Sequence, residues 1–142
     1  MKVVKFGGSS LASATQLAKV LQIIKEDSER RFVIVSAPGK RNAQDTKVTD
    51  ALIKYYRDHV AGNDVTKHQQ WIIHRYQDMA IELELKPNIL ERISKSFQKL
   101  ASLPIENNKF LYDTFLAAGE NNNAKLIAAY FSQNGINARY VH

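Results

Sequence analysis

Two short apolar runs separated by a helix-length segment constrain the fold most. Met1–Phe6 (MKVVKF) and Arg31–Ser36 (RFVIVS) are rich in β-branched residues, and the second is bounded by Ala37-Pro38-Gly39. Near-continuous apolar runs of this kind suit strands covered on both faces, as in parallel sheets. Between them Leu17, Val20, Leu21 and Ile24 fall at i, i+3, i+4 and i+7, one face of a helix expected from Ser13 onward. Strand, helix and strand over about 35 residues make a βαβ unit, whose crossover is expected to be right-handed.

The rest of the chain reads as mostly helical. Lys40–Lys47 is polar and reads as a mobile loop. Helices are expected at Val48–Ala61, Val65–Leu85 and Asn88–Ser102, with Leu52, Ile72, Tyr76, Ile93 and Phe97 on their apolar stripes. Gly62-Asn63, Pro87 and Pro104 punctuate them. A further helical stretch, Asn107–Phe131, is broken at Gly119, and Asn134-Gly135 leads into a third strand, Ile136–Val141. The fold class is therefore α/β, a mainly parallel sheet between helical layers. Three strands are few for so many helices, which points to an incomplete domain; the alternative is a small, complete three-stranded α/β protein.

Composition removes several function classes. At 142 residues the chain is about one domain. It has no cysteine, so disulfides and thiolate metal sites are excluded. No apolar run approaches the roughly 18 residues of a membrane span, and the amino terminus lacks a signal-peptide core; a cytoplasmic protein is expected. The net charge is +6, but the basic residues are scattered and do not alternate with aromatics. No nucleic-acid partner is expected, only mild attraction for small anions. His59, His68, His74 and His142 have no metal-ligand spacing and read as solvated.

Three segments carry chemistry. In VVKFGGSSLA (residues 3–12), Gly7 and Gly8 at a strand-to-helix turn allow positive φ and close ligand approach. The N–H groups that follow can bind an anion, Ser9 or Ser10 can cap the helix or bond a phosphate oxygen, and Lys5 adds a full charge nearby. Together these suit a phosphoryl group in flight; a structural turn with a surface lysine is the plain alternative. Neither GxxxxGK[ST] nor GxGxxG occurs. In VIVSAPGKRNAQDTKVTDALI, Ser36 ends the second strand on the same rim, and Thr49 in the next helix's first turn can hold a carboxylate; otherwise Thr46 or Thr49 caps that helix. In AAGENNNAKLIAAYF, Glu120 can cap a helix or hold a substrate ammonium.

Taken together, KFGGSS (residues 5–10), VSAPGK (35–40) with Val48-Thr49-Asp50, and Gly119-Glu120 with Asn123-Ala124-Lys125-Leu126 resemble the aspartokinases of the amino-acid kinase superfamily. The resemblance covers essentially the whole chain. It implies ATP-dependent phosphorylation of the L-aspartate side chain to 4-phospho-L-aspartate, the entry step toward lysine, threonine and methionine, with Mg²⁺ bridging the phosphates. It implies that Lys5 is catalytic and that Lys5, Phe6, Gly7, Gly8 and Ser9 hold the ATP phosphates. Ser36 lines the rim, Thr49 contacts an aspartate carboxylate and Glu120 pairs with the α-ammonium. Two features depart from the family pattern. Ala117-Ala118 stand where a serine is frequent, and the long Lys40–Lys47 loop lets Thr46 compete with Thr49.

By the same resemblance, residues 1–142 are the amino-terminal, aspartate-binding part of the catalytic domain, with a helical insert at about 48–118. The nucleotide-binding half and ACT regulatory domains are absent, so the piece alone is expected to be inactive, and the parent enzyme to be a homo-oligomer. Two alternatives stand beside this reading. One is a related kinase acting on acetylglutamate or glutamate; the other is a non-catalytic anion-binding module.

Overall fold

A computed structural model describes all residues, 1–142. The elements run β1 (Lys2–Phe6), α1 (Ala14–Lys25), β2 (Arg30–Val35), α2 (Val48–Val60), α3 (Thr66–Glu82), α4 (Pro87–Lys99) and α5 (Asn108–Gln133). Short 3₁₀ turns occupy Gly8–Leu11 and Leu100–Ser102. The expected βαβ unit is present. β1 and β2 pair in parallel, with Val3 opposite Phe32, Lys5 opposite Ile34 and Phe6 opposite Val35. The mixed α/β architecture of a small parallel sheet with five helices follows.

Strand alternation divides the sheet into two unlike faces. Val4, Phe6, Val33 and Val35 pack against the core. On the other face Val3 is 63% exposed, Phe32 56% and Ile34 51%. Residues 1–142 thus cover only one face of the two strands. The exposed side borders an apolar groove of about 1340 Å³, walled by β2, α5 and residues 135–141.

The expected third strand, Ile136–Val141, does not form; the sheet has two strands. Its backbone is turned back on the end of α5 instead. Ile136 N–H donates to the Phe131 carbonyl, and the Ser132 hydroxyl to the Ala138 carbonyl at 2.9 Å.

The helices build the core, with Leu52, Tyr55, Ile72, Tyr76, Ile93, Phe97, Phe115 and Leu126 fully inaccessible. Pro87 opens α4 at its first turn, where its missing N–H costs nothing. α5 runs unbroken through Gly119, contrary to the expected interruption. Its amino terminus is capped by Asn107, whose Oδ1 accepts from Phe110 N–H at 3.0 Å. Two histidines are also less solvated than expected. His68 Nε2 lies 2.5 Å from Asp58 Oδ2, and His59 lies 3.1 Å from the Leu103 carbonyl oxygen and stacks on Phe115.

Candidate active site

The parallel register brings the carboxyl ends of both strands to one rim, where Ser36 N–H donates to the Phe6 carbonyl at 3.3 Å. The chain then turns at Gly7, which is extended (φ −81°, ψ 171°), into the Gly8–Leu11 turn. Positive φ is not the reason for this glycine pair; only Gly62, Gly135 and Glu84 adopt it. Close approach is the reason for Gly8. A Cβ on Gly8 would lie 3.1 Å from the Ala37 carbonyl oxygen, and one on Gly39 would lie 2.7 Å from the Gly8 carbonyl carbon. Gly39 N–H donates to the Gly8 carbonyl at 2.8 Å, joining the two loops directly. Gly7 differs: a Cβ there would meet nothing within 4 Å, so its surface faces open space.

Successive N–H groups at Gly7, Gly8 and Ser9 donate to no backbone carbonyl. The cap of α1 is Ser13, whose hydroxyl accepts from Gln16 N–H at 3.3 Å, so neither Ser9 nor Ser10 has the expected capping role. Lys5 is exposed on the open face of the sheet, and no carboxylate of the chain pairs with it. Three free amides and an unpaired lysine on the same short segment suit an anion.

The other two motif segments meet at the same rim. A Cβ on Gly119 would lie 3.0 Å from Ala37 Cβ, 3.0 Å from Leu52 Cδ1 and 3.4 Å from Val48 Cγ1. This glycine therefore lets α5 lie against the residue after Ser36 and the residue before Thr49. One turn on, the fully buried Asn123 donates from Nδ2 to the Ser36 carbonyl at 2.7 Å. The Tyr76 hydroxyl donates to the Gly119 carbonyl at 2.6 Å. Burial raises the Tyr76 phenol far above its usual pKa, and the nearby Glu120 carboxylate adds to that against the opposing field of Arg75. Glu120 itself lies mid-helix and exposed, so it caps nothing. Neither Thr46 nor Thr49 caps α2 either: its N-cap is Lys47, with no side-chain cap bond. Thr46 lines a cleft of about 420 Å³ with Lys40, Asp50, Lys54 and Arg57; Thr49 is not in its lining.

The Lys40–Lys47 segment is less loose than its composition suggests. Asp45 accepts from the Arg41 backbone N–H at 2.9 Å, from Arg41 Nε at 2.7 Å and from Thr46 N–H at 2.9 Å. The Arg41 guanidinium, with those amides, holds the Asp45 carboxyl well below the usual carboxylate range despite its burial. Below it sits Arg75 of α3, 2% exposed, a residue the motifs did not single out. Its Nη2 donates to the Ala12 carbonyl and, at 3.1 Å, to the Gly39 carbonyl. The signal for it was register. Arg75 stands three residues after Ile72 and four before Met79, a charged residue on an apolar stripe. Asn123 was marked in the sequence only as the first residue of the Asn123–Leu126 motif, with no role attached.

The residues do not make a magnesium site by themselves, since no three His, Cys, Asp or Glu side chains gather where an ion could be held.

A parallel sheet whose rim carries three free amides, with an unpaired lysine on β1, is an α/β fold suited to an anionic ligand. The chain belongs to the amino acid kinase family, whose family model matches residues 1–142. It is 46% identical over its full length to Aspartokinase 3 of Bacillus subtilis (strain 168), of which it spans 31%. The aspartate kinase of Clostridium acetobutylicum superposes with a TM-score of 0.75 at 32% identity, over 92% of this chain and 29% of that one. Aspartokinase III of E. coli, solved with aspartate and ADP, shares the fold with a TM-score of 0.53 at 21% identity, over 94% and 29%.

Proposed function

We propose that residues 1–142 carry the acceptor side and the phosphate-gripping loop of an aspartate kinase, which transfers the γ-phosphoryl group of ATP to the side-chain carboxylate of L-aspartate. The observation that carries this reading is the convergence of three separate segments on one rim. The Gly8 turn abuts Gly39, Ser36 is tied to Asn123, and Gly119 lies against Ala37 and Val48. The identity to an aspartokinase over all 142 residues supports aspartate as acceptor.

In this mechanism the free N–H groups of Gly7, Gly8 and Ser9, after Phe6, hold ATP phosphate oxygens. Lys5 stabilises charge on the phosphoryl group in transfer, where positioning and electrostatics supply most of the rate. Ser36 lines the rim between the two ligands, Thr49 donates to an aspartate carboxylate, and Glu120 pairs with the α-ammonium. The attacking carboxylate is ionised at neutral pH, so no general base is needed. Residues 1–142 alone are inactive in this reading, because half a nucleotide site does not fix the near-attack geometry. The product leads toward lysine, threonine and methionine, and the working enzyme is a cytoplasmic homo-oligomer.

The test is acyl-phosphate formation, trapped as hydroxamate, by the natural polypeptide that contains residues 1–142. Aspartate should be the preferred acceptor over glutamate and acetylglutamate. Preference for either of those moves the chain to another branch of the family, and no turnover with any acceptor leaves an anion-binding module.

A further inference from the structure

We infer that Arg75 is a positioning residue, a clamp by which the α2–α4 helical segment holds the phosphate loop and the acceptor loop at a fixed separation. The inference rests on the reading of these loops as the two halves of a phosphoryl-transfer site. One nitrogen, Nη2, donates both to Ala12, at the end of the Gly8–Leu11 turn, and to Gly39, in the loop after β2. These acceptors are 63 and 36 residues away in sequence. Gly39 is in turn bonded to Gly8 through its own N–H. Ala12, Gly39 and Gly8 therefore form a closed bridge with the guanidinium at its back.

The charge on Arg75 is poorly compensated. Its side chain is 1% exposed, and the nearest carboxylate oxygen, Asp45 Oδ2, lies 3.9 Å from Nε and is already engaged by Arg41. Nε and Nη1 have no hydrogen-bond partner. Burial accordingly lowers the Arg75 pKa from its usual value. A methionine of similar length would fill this space without a buried, under-bonded cation. What methionine cannot do is hold two carbonyls of separate loops on one donor. Placing the two loops matters because a misplacement of about 1 Å in a reacting pair costs on the order of 100-fold in rate.

Arg75→Met and Arg75→Lys test the clamp by two readouts. The first is amide hydrogen exchange on the folded chain. Arg75→Met should raise exchange at the bonded amides of Ser10, Gly39, Arg41, Asp45 and Thr46 by roughly tenfold or more, leaving residues 111–131 of α5 as in the parent. Arg75→Lys, which keeps one charged donor, should fall between. Uniform acceleration across the molecule, or none at the two loops, overturns the inference. The second is turnover by the natural polypeptide that contains residues 1–142. There kcat should fall by about 100-fold for Arg75→Met, with KM for aspartate and ATP little changed and partial recovery in Arg75→Lys. Loss confined to KM, or lysine no better than methionine, overturns it too. If the parent makes no acyl phosphate, the proposed function fails while the exchange readout still decides the clamp.

Discussion

Replacing Gly39 with alanine should separate the two loops by an amount the geometry sets. The added Cβ would sit 2.7 Å from the Gly8 carbonyl carbon, 2.8 Å from its oxygen and 2.9 Å from Ser9 N. All three are backbone atoms, so no rotamer change relieves them. Reaching the 3.4 Å onset of ordinary contact requires a shift of 3.4 − 2.7, or 0.7 Å. Applied along the Gly39–Gly8 hydrogen bond, now 2.8 Å, that shift gives 2.8 + 0.7, or 3.5 Å, where the bond is effectively lost. Overpacking costs about 1–3 kcal/mol and the lost bond roughly 0.5–1.5 kcal/mol. The stiffer unfolded chain returns about 0.4–1 kcal/mol. A net destabilisation of about 0.5–4 kcal/mol is expected from these ranges, read as a lower midpoint in urea at unchanged m-value. In the natural polypeptide, kcat should drop by about 100-fold because the phosphate loop moves against the acceptor loop. An alanine variant with parental stability and turnover would refute the claim that this contact sets the geometry of the site.

Gly7→Ala should behave oppositely: its φ of −81° and open surroundings accept a methyl, so stability is held or raised by up to about 1 kcal/mol, while ATP affinity falls as the methyl enters the anion's space. Calorimetric titration beside a urea curve checks both. Lys5→Ala should abolish turnover with a stability change within about 0.5 kcal/mol, since the side chain is exposed; unaltered turnover would make Lys5 a surface residue only. Acid unfolding should be sensitive to Asp45. Its folded pKa is depressed, so its contribution is present above the ordinary carboxylate pKa of about 4 and is lost as pH falls below that value. Asp45→Asn should flatten the stability profile below about pH 4 and lower stability at neutral pH, measured by urea midpoints across pH.

The portions legible in the sequence were those with local causes. Apolar periodicity placed α1 to α4 within a few residues, because each buries one stripe whatever lies opposite. The βαβ unit was legible for the same reason. The third strand failed because a turn signal at Asn134-Gly135 and the short run Ile136–Val141 say nothing of a partner, and a strand needs a neighbour to bond. Here Phe131 and Ser132 take that bonding instead.

Gly119 shows why glycine misleads when read locally. Its helix cost of about 1 kcal/mol makes it a plausible break, yet α5 passes through it. The cost is offset by contacts with Ala37, Val48 and Leu52, which a side chain at 119 would push away. Gly39 follows the same logic across a loop. The glycines of this rim thus encode distances between segments, and so does Arg75, whose acceptors are contributed by two different loops. A single sequence records such a residue only as an oddity, a cation on an apolar face, because its partners become neighbours only once the sheet and helices have assembled. The motifs name the groups that would touch ligand, while the residues that set the spacing between those groups are identified by the fold.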